Sequence, residues 1–304
     1  MELYQLRSFA AVAELGHLTR AAEKLHISQP ALSAQIKALE DELGVALFER
    51  TPSGMTLTAA GQRLLPEASK VVSAAGAFSS QAKAFSGETT GRVRVGTLAD
   101  PQFLRLGDFL AQALDRYPLV EIELHHEVSG AAFAKVRDGA LDASFYYGSL
   151  VHATVESIPL RTVTYRVVAP VAWRDRVDHA GWDEIAALPW IVTPTISTHR
   201  AMANQMFEAH GVAPAKRIEA DHEAVISSLV IAGVGVALMR EDLALEAAAA
   251  NDVCLWNDAR ADTLLQFLYL RERKHDPVVS ALSDVVRDVW SVRESNAERS
   301  QAAA

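Results

Sequence analysis

The sequence predicts an α/β protein in three parts: a small helical N-terminal module, a long linking helix, and a larger two-lobed α/β domain. Three observations carry this. Thr19–Arg50, followed by Leu57–Gly61, reads as two short helices with a tight break and then a small hairpin. Between Leu64 and Phe85, apolar and small residues recur every three to four positions. Past Gly91, strand and helix patterns alternate almost to the end of the chain.

In the first part, Leu3, Leu6, Phe9 and Ala13 fall on one helical face, and Gly16 ends that helix. Thr19 is placed to cap a second helix, Arg20–Leu25, by accepting a free backbone N–H. Ser28 caps a third, with Pro30 tolerated in its first turn and Gly44 as its stop. Leu32, Ile36, Leu39 and Leu43 cluster within about 60° of arc on this third helix. Pro30, Ser33, Ala34, Lys37 and Asp41 occupy the other side. Gln29, Ser33 and Lys37, four apart, reach outward: Gln and Ser bond base edges, Lys bonds guanine or phosphate, and Ala34 permits close approach. Leu47-Phe48-Glu49-Arg50, a Thr-Pro-Ser-Gly turn and Met55–Thr58 complete a winged helix-turn-helix, in which one helix face packs and the opposite face enters a DNA groove.

The segment resembles the LysR-type transcriptional regulators. Thr19, Ala21, Ala22, Leu25, Ser28, Gln29, Pro30, Ala31, Leu32, Ser33, Ile36, Leu39, Glu40, Leu43, Gly44, Leu47, Phe48, Arg50, Leu57, Thr58, Ala60 and Gly61 match in order and spacing without a gap. The resemblance implies a double-stranded DNA partner, contacted by Thr19, Arg20, Ser28, Gln29, Pro30, Ser33, Ala34, Lys37 and Arg50. Three departures concern the grip on phosphate or the operator. His17 and Leu18 stand where the family usually has a serine and an aromatic. Ala34 stands where it often has arginine, and the wing, Thr51–Met55, has no basic residue.

Net charge over the 304 residues is −9, and residues 1–90 hold eight Lys/Arg against nine Asp/Glu. Bulk charge therefore gives DNA binding no help, and attraction to phosphate falls to a local set, Arg7, Arg20, Lys24, Lys37, Arg50 and Arg63. One cysteine, Cys254, excludes an internal disulfide, and its apolar neighbours favour an inert core thiol. The N-terminus does not read as a signal peptide and no run of about 18 apolar residues exists, so a soluble cytoplasmic protein with no membrane partner is expected.

Leu64, Ala68, Val71, Ala75, Phe78, Ala82 and Phe85 alternate steps of four and three, the pattern of a helix pairing with another helix. Read with the family resemblance, this is an antiparallel dimerisation helix in a homodimer or homotetramer, with two half-sites on the DNA. Domain limits follow: 1–61 winged helix-turn-helix, 62–88 linker, 89–293 effector domain and 294–304 disordered tail.

In the effector domain, strand 92–97, a helix from Asp100-Pro101 to about Arg116, strand 119–127, helix 133–137 and strand 141–147 make a βαβαβ unit. A second unit has strands 164–169, 190–193 and 234–238 and helices 200–210 and 223–232, before strand 264–270 and a last helix from Pro277. Two lobes joined by two crossings result, lobe I about 91–162 and 264–293, lobe II about 163–263. This is the solute-binding arrangement, of the periplasmic-binding-protein type 2 kind, and it agrees with the ligand-sensing half of the LysR family. Ligands in such folds sit beyond the carboxyl ends of strands. Thr97, Leu98, Ser129, Tyr147, Thr193, Thr195, His199 and His222 are therefore the candidate effector contacts. Hydroxyls and helix N-termini favour an anion such as a carboxylate, with Arg105, His199 and Arg200 available for charge, while Asp100 opposes it.

No phosphate-binding loop, nucleophile elbow or zinc-protease motif is present, and no cofactor, metal or catalytic residue is expected. A second reading keeps a two-lobed solute-binding or enzymatic domain and gives the N-terminal module only a dimerising role.

Overall fold

The computed structural model describes residues 1–52, 54–84 and 88–292. Phe85 and the expected tail, 294–304, lie outside the described residues. The N-terminal module has α1 (Leu3–Leu15), α2 (Leu18–Lys24) and α3 (Gln29–Leu43), then the wing strands β1 (Phe48–Thr51) and β2 (Gly54–Leu57). Gly16 and Gly44 close α1 and α3 in the left-handed region, and Ser28 caps α3 by accepting the Ala31 N–H. Two expectations are corrected. Thr19 lies inside the first turn of α2, whose N-cap is His17, so it caps nothing. Leu43 is 40% exposed, because the last turn of α3 runs past the core that Leu32, Ile36 and Leu39 enter.

That core is closed by Phe9 edge-on to Phe48 at 5.5 Å, and by Ala21 and Ala22, whose small side chains let α2 lie close. Each fully buried aliphatic residue contributes about 1.5–3 kcal/mol, so the apolar face of α3 is held firmly and its polar face is free to serve something else.

The linking helix α4 spans Ala59–Ala84, with Pro66 inside it. It therefore starts three residues earlier than the linker read from sequence. Thr58 sets the start: its hydroxyl donates to the Ala46 carbonyl and accepts the Gly61 N–H. A Cβ on Gly61 would lie 2.2 Å from the Leu47 carbonyl oxygen, so glycine is needed where α4 crosses the base of the wing.

Lobe I is β3 (Gly91–Thr97), α5 (Leu106–Arg116), β4 (Val120–His126), α6 (Ser129–Arg137) and β5 (Ala143–Tyr147). The long strand β6 (Val155–Pro170) leads to lobe II: α7 (Arg174–Val177), α8 (Trp182–Ala186), β7 (Pro189–Val192), α9 (Thr198–Ala209), β8 (Lys216–Glu219), α10 (Glu223–Ile231), β9 (Val236–Arg240) and α11 (Glu241–Ala249). Strand β10 (Val253–Leu270) returns to α12 (Pro277–Val289), which packs on α5. Strand order is β4-β3-β5-β10-β6-β9-β7-β8.

The two crossings are one antiparallel ribbon of β6 and β10, of 16 and 18 residues. One end pairs with β5, the other with β9. Reading separate short strands from 164 and 264 missed this continuity, because residues 159–162 and 260–264, in the middle of the two strands, are exposed or half-buried and carry no apolar run. The first lobe I helix also starts later than expected. Asp100 accepts the Phe103 N–H in a turn, Arg105 is left-handed, and α5 begins at Leu106.

Lobe I is tied to α4 through Asp142, which is 4% exposed. Its carboxylate accepts from the Arg94 backbone N–H at 2.7 Å, from the Arg94 guanidinium at 2.9 and 3.0 Å, and from Arg273. Ser73 of α4 donates to Asp142 at 3.4 Å and accepts from Arg273 at 3.1 Å. Burial pushes the Asp142 carboxyl up, but the two arginines outweigh it and hold the group below its ordinary range.

Candidate functional sites: an exposed helix face and an inter-lobe cleft

On α2, α3 and the wing, Thr19, Arg20, Ser28, Gln29, Pro30, Ala34, Lys37 and Arg50 are exposed, and Ser33 is half-buried. Of the expected cations, Lys24 is neutralised by Glu14 at 2.8 Å. The frame around this face is built by contacts that the sequence reading did not assign. Glu40 accepts the N–H groups of Leu47 and Phe48 at 2.7 and 3.1 Å, fixing the first wing strand against α3. Ser8 of α1 holds Gln35 at 2.5 Å, and the Gly16 carbonyl accepts the Met55 N–H. An acidic residue one turn before the end of an amphipathic helix was the available signal for Glu40.

On α4, Leu64 packs with the N-terminal core and Ala68 is 6% exposed within it, whereas Val71 and Phe78 are 48% and 75% exposed. Ala75 is half-buried and Ala82 exposed. The first two positions of the stripe thus serve the chain's own core, and the outward part begins at Val71.

In the effector domain the lobes meet. A Cβ on Gly130, in the first turn of α6, would lie 2.0 Å from the Ile196 carbonyl oxygen of lobe II, and one on Gly148 would lie 3.1 Å from Thr198. A charged centre also joins the two lobes. Arg240, the last residue of β9 and 3% exposed, donates to Asp100 at 2.8 Å, to Asp242 at 2.6 and 3.0 Å and to Glu223 at 3.5 Å. The centroid of the Phe103 ring lies 3.8 Å from its guanidinium carbon, and its charge acts on the nearby Tyr147 hydroxyl. Burial raises the Glu223 carboxyl, with Arg240 opposing and Asp100 and Asp242 reinforcing the rise. Burial also raises the Tyr147 hydroxyl, which stays protonated at neutral pH.

The sequence-derived contacts divide around this centre. Tyr147 touches it. Ser129 is buried and accepts the Tyr147 N–H at 3.4 Å. Thr193 faces His199 Nδ1 at 3.3 Å, and His199 Nε2 lies 3.1 Å from the Leu238 carbonyl. That carbonyl accepts only from a protonated nitrogen, which leaves Nδ1 to accept from Thr193. Burial lowers His199 to about 4, so it is neutral at physiological pH. Thr97 is nearly buried and its hydroxyl donates to the Leu98 carbonyl, while the Leu98 side chain belongs to the lobe I core. Thr195 is exposed, and His222 is an exposed cap whose ring accepts the Ala224 N–H. The cations named from sequence are engaged elsewhere, Arg200 with the Thr193 carbonyl and Arg105 with the Val289 carbonyl and Asp108. Sequence reasoning missed Arg240, Glu223 and Phe103. An arginine ending a lobe II strand was a usable signal, since strand ends face the cleft.

Among the described residues no group of three or more His, Cys, Asp and Glu is arranged to hold a metal, and no helix is long and apolar enough to cross a membrane. Cys254 is buried, and burial raises its thiol.

A polar helix face on a small helical core, carried by one long helix to two lobes around a polar cleft, defines a DNA-binding module joined to a ligand-sensing domain. Residues 3–62 match the bacterial regulatory helix-turn-helix domain of the lysR family, and residues 86–291 match the LysR substrate binding domain. The chain belongs to the LysR family of transcriptional regulators, DNA-binding, effector-responsive proteins that are not enzymes. It is 31% identical to the regulator ClcR of Pseudomonas putida over 255 residues, covering 81% of this chain and 84% of that protein. It is 34% identical to TfdT of Cupriavidus pinatubonensis over 180 residues, 59% of this chain and 79% of that one. Among solved structures, full-length OxyR from Pseudomonas aeruginosa superposes with a TM-score of 0.68 at 22% identity, covering 94% and 95% of the two chains. CbnR in complex with its target DNA gives 0.60 at 22%, covering 95% and 100%.

Proposed function

We propose that two copies of α3, held apart by a dimer of α4, read an interrupted palindrome, and that a small molecule in the inter-lobe cleft changes where those two helices land. The observation that carries this is the division of α3: Leu32, Ile36 and Leu39 are buried, while Gln29, Pro30, Ala34 and Lys37 stand exposed on the other side. Gln29, Ser33 and Lys37 supply base contacts. Thr19, Arg20, Ser28 and Arg50 supply contacts to the phosphate backbone, and Pro30 and Ala34 leave room for the groove wall. Val71, Ala75, Phe78 and Ala82 form the linker interface of a homodimer or homotetramer. A cytoplasmic site of action follows from the DNA partner.

In the cleft, Thr193, His199, Ser129 and Tyr147 supply neutral hydrogen-bonding walls. A carboxylate effector draws support from the α6 and α9 N-termini, but it meets Asp100 and Glu223 at the Arg240 end. The experiment is a footprint on the protein's own upstream DNA with Ser33→Ala and Lys37→Ala combined. A loss of at least about tenfold in affinity, equivalent to about 1.4 kcal/mol, is expected. An unchanged affinity and footprint would falsify the groove assignment.

A further inference from the structure

Arg240 belongs to lobe II but reaches across to lobe I. Its guanidinium is bounded on the lobe I side by the Asp100 carboxylate at 2.8 Å, the Phe103 ring at 3.8 Å and Tyr147. These are the parts of a cation receptor: a carboxylate for the charge, an aromatic face for the delocalised ion, and a phenol oxygen as further acceptor. We propose that this lobe I socket is the recognition site for the effector, that the effector is a small organic cation of the guanidinium or amine class, and that Arg240 fills the socket as an internal latch until the effector takes its place. This rests on the reading of the cleft as the effector site.

Charge decides between a cation and an anion. Asp100, Glu223 and Asp242 set three carboxylates against the guanidinium of Arg240 and that of Arg161, which lies 5.5 Å from the Phe103 ring, and this leaves the cluster at −1. A cation entering it gives 0, an anion −2. A cation that takes over Asp100 and Phe103 releases Arg240 to Asp242 and Glu223 on its own lobe, so every carboxylate keeps a partner. An anion competing for Arg240 leaves Asp100, with 27% side-chain exposure and the Phe103 N–H as its remaining donor, without its charge partner, which is unfavourable. Glu223 adds a second acceptor: its Oε1 is buried with no hydrogen-bond partner among the described residues.

Latch and ligand class are tested together on the full-length protein. Titration calorimetry with agmatine, a guanidinium amine without a carboxylate, and with benzoate measures binding. Agmatine is expected to bind and to lose about tenfold or more in affinity in Asp100→Asn, as one charge-assisted pair is removed; benzoate is expected not to bind. Spin labels at Val151→Cys and Ile231→Cys report the lobe separation, since both sites are exposed and the natural Cys254 is 1% exposed. The distance should lengthen in Asp100→Asn, and in the parent on adding agmatine. Binding of benzoate in preference to agmatine, no agmatine binding, or agmatine affinity indifferent to Asp100→Asn overturns the cation class. A label distance that Asp100→Asn leaves unchanged overturns the latch. Failure of the cleft reading has its own signature: a DNA footprint altered neither by saturating agmatine nor by Asp100→Asn. A footprint that Asp100→Asn alters while agmatine does not bind leaves the cleft regulatory and removes only the cation.

Discussion

Asp142→Asn is the sharpest test of how lobe I is held to the linker helix. The substitution keeps shape and one acceptor but removes the charge that Arg94 and Arg273 share. Arg273, with 11% side-chain exposure, cannot turn to water but keeps Asp276 at 2.8 Å, whereas Arg94, at 28%, can turn to water in part. Breaking a buried pair by removing one member costs about 3–5 kcal/mol, and the remaining Asp276 pair and the partial exposure of Arg94 favour the lower end, about 3 kcal/mol. With a urea slope of about 2–3 kcal/mol/M for a domain of this size, the unfolding midpoint should fall by about 1–1.5 M. Tryptophan fluorescence isolates the transition, because all five tryptophans, Trp173, Trp182, Trp190, Trp256 and Trp290, lie in the domain that contains Asp142. The pH arm has a fixed sign. The folded-state carboxyl lies below its ordinary value of 3.8, so the ionised form stabilises the fold above that value. The stabilisation is lost as pH falls through the lower folded value, and the two proteins should converge there. A midpoint within about 0.2 M of the parent at neutral pH, or a gap that persists undiminished in acid, would refute the reasoning.

Phe78→Glu should dissociate the dimer. A symmetric interface loses the residue twice, at about 1.5–3 kcal/mol each, and sedimentation velocity should report a smaller species; an unchanged sedimentation coefficient excludes the α4 stripe as the interface. Arg50→Ala should lower operator affinity across all sequences and make the slope of log affinity against log salt shallower by about 0.9 for each copy bound, about 1.8 for a dimer. A slope identical to the parent's removes Arg50 from the phosphate contacts. His199 is held near 4 against an ordinary 6.5, so the unfolded chain binds its proton first as pH falls. Stability of the effector domain should therefore decline as pH drops from about 6.5 to about 4 and level off below, and His199→Gln should lack that component when the two unfolding curves are compared.

The N-terminal module was legible in the sequence because its determinants are local. Leu32, Ile36 and Leu39 mark the buried face of α3 by spacing alone, and Ser28, Gly16 and Gly44 mark its limits and those of α1 by backbone chemistry. Errors there were also local: Thr19 cannot be told from a cap when His17 opens the helix two residues earlier. The stripe on α4 was visible as a period, but which of its positions serve the chain's own core was not. Leu64 and Ala68 face inward only because α1 crosses α4 at that height.

The order of parts, the two-lobed plan and the exposed polar face of α3 were all legible in the sequence, since each follows from periodicities and caps spanning a few turns. Tertiary structure decided the chemistry of the cleft. Asp100 and Arg240 are 140 residues apart, and no local pattern relates them. Only the β6–β10 ribbon, by fixing how lobe II folds back over lobe I, brings that arginine to that carboxylate. In sequence the arginine marks a strand end that faces the cleft, but not what it meets there. Its burial among three carboxylates and an aromatic face is a property of the closed fold.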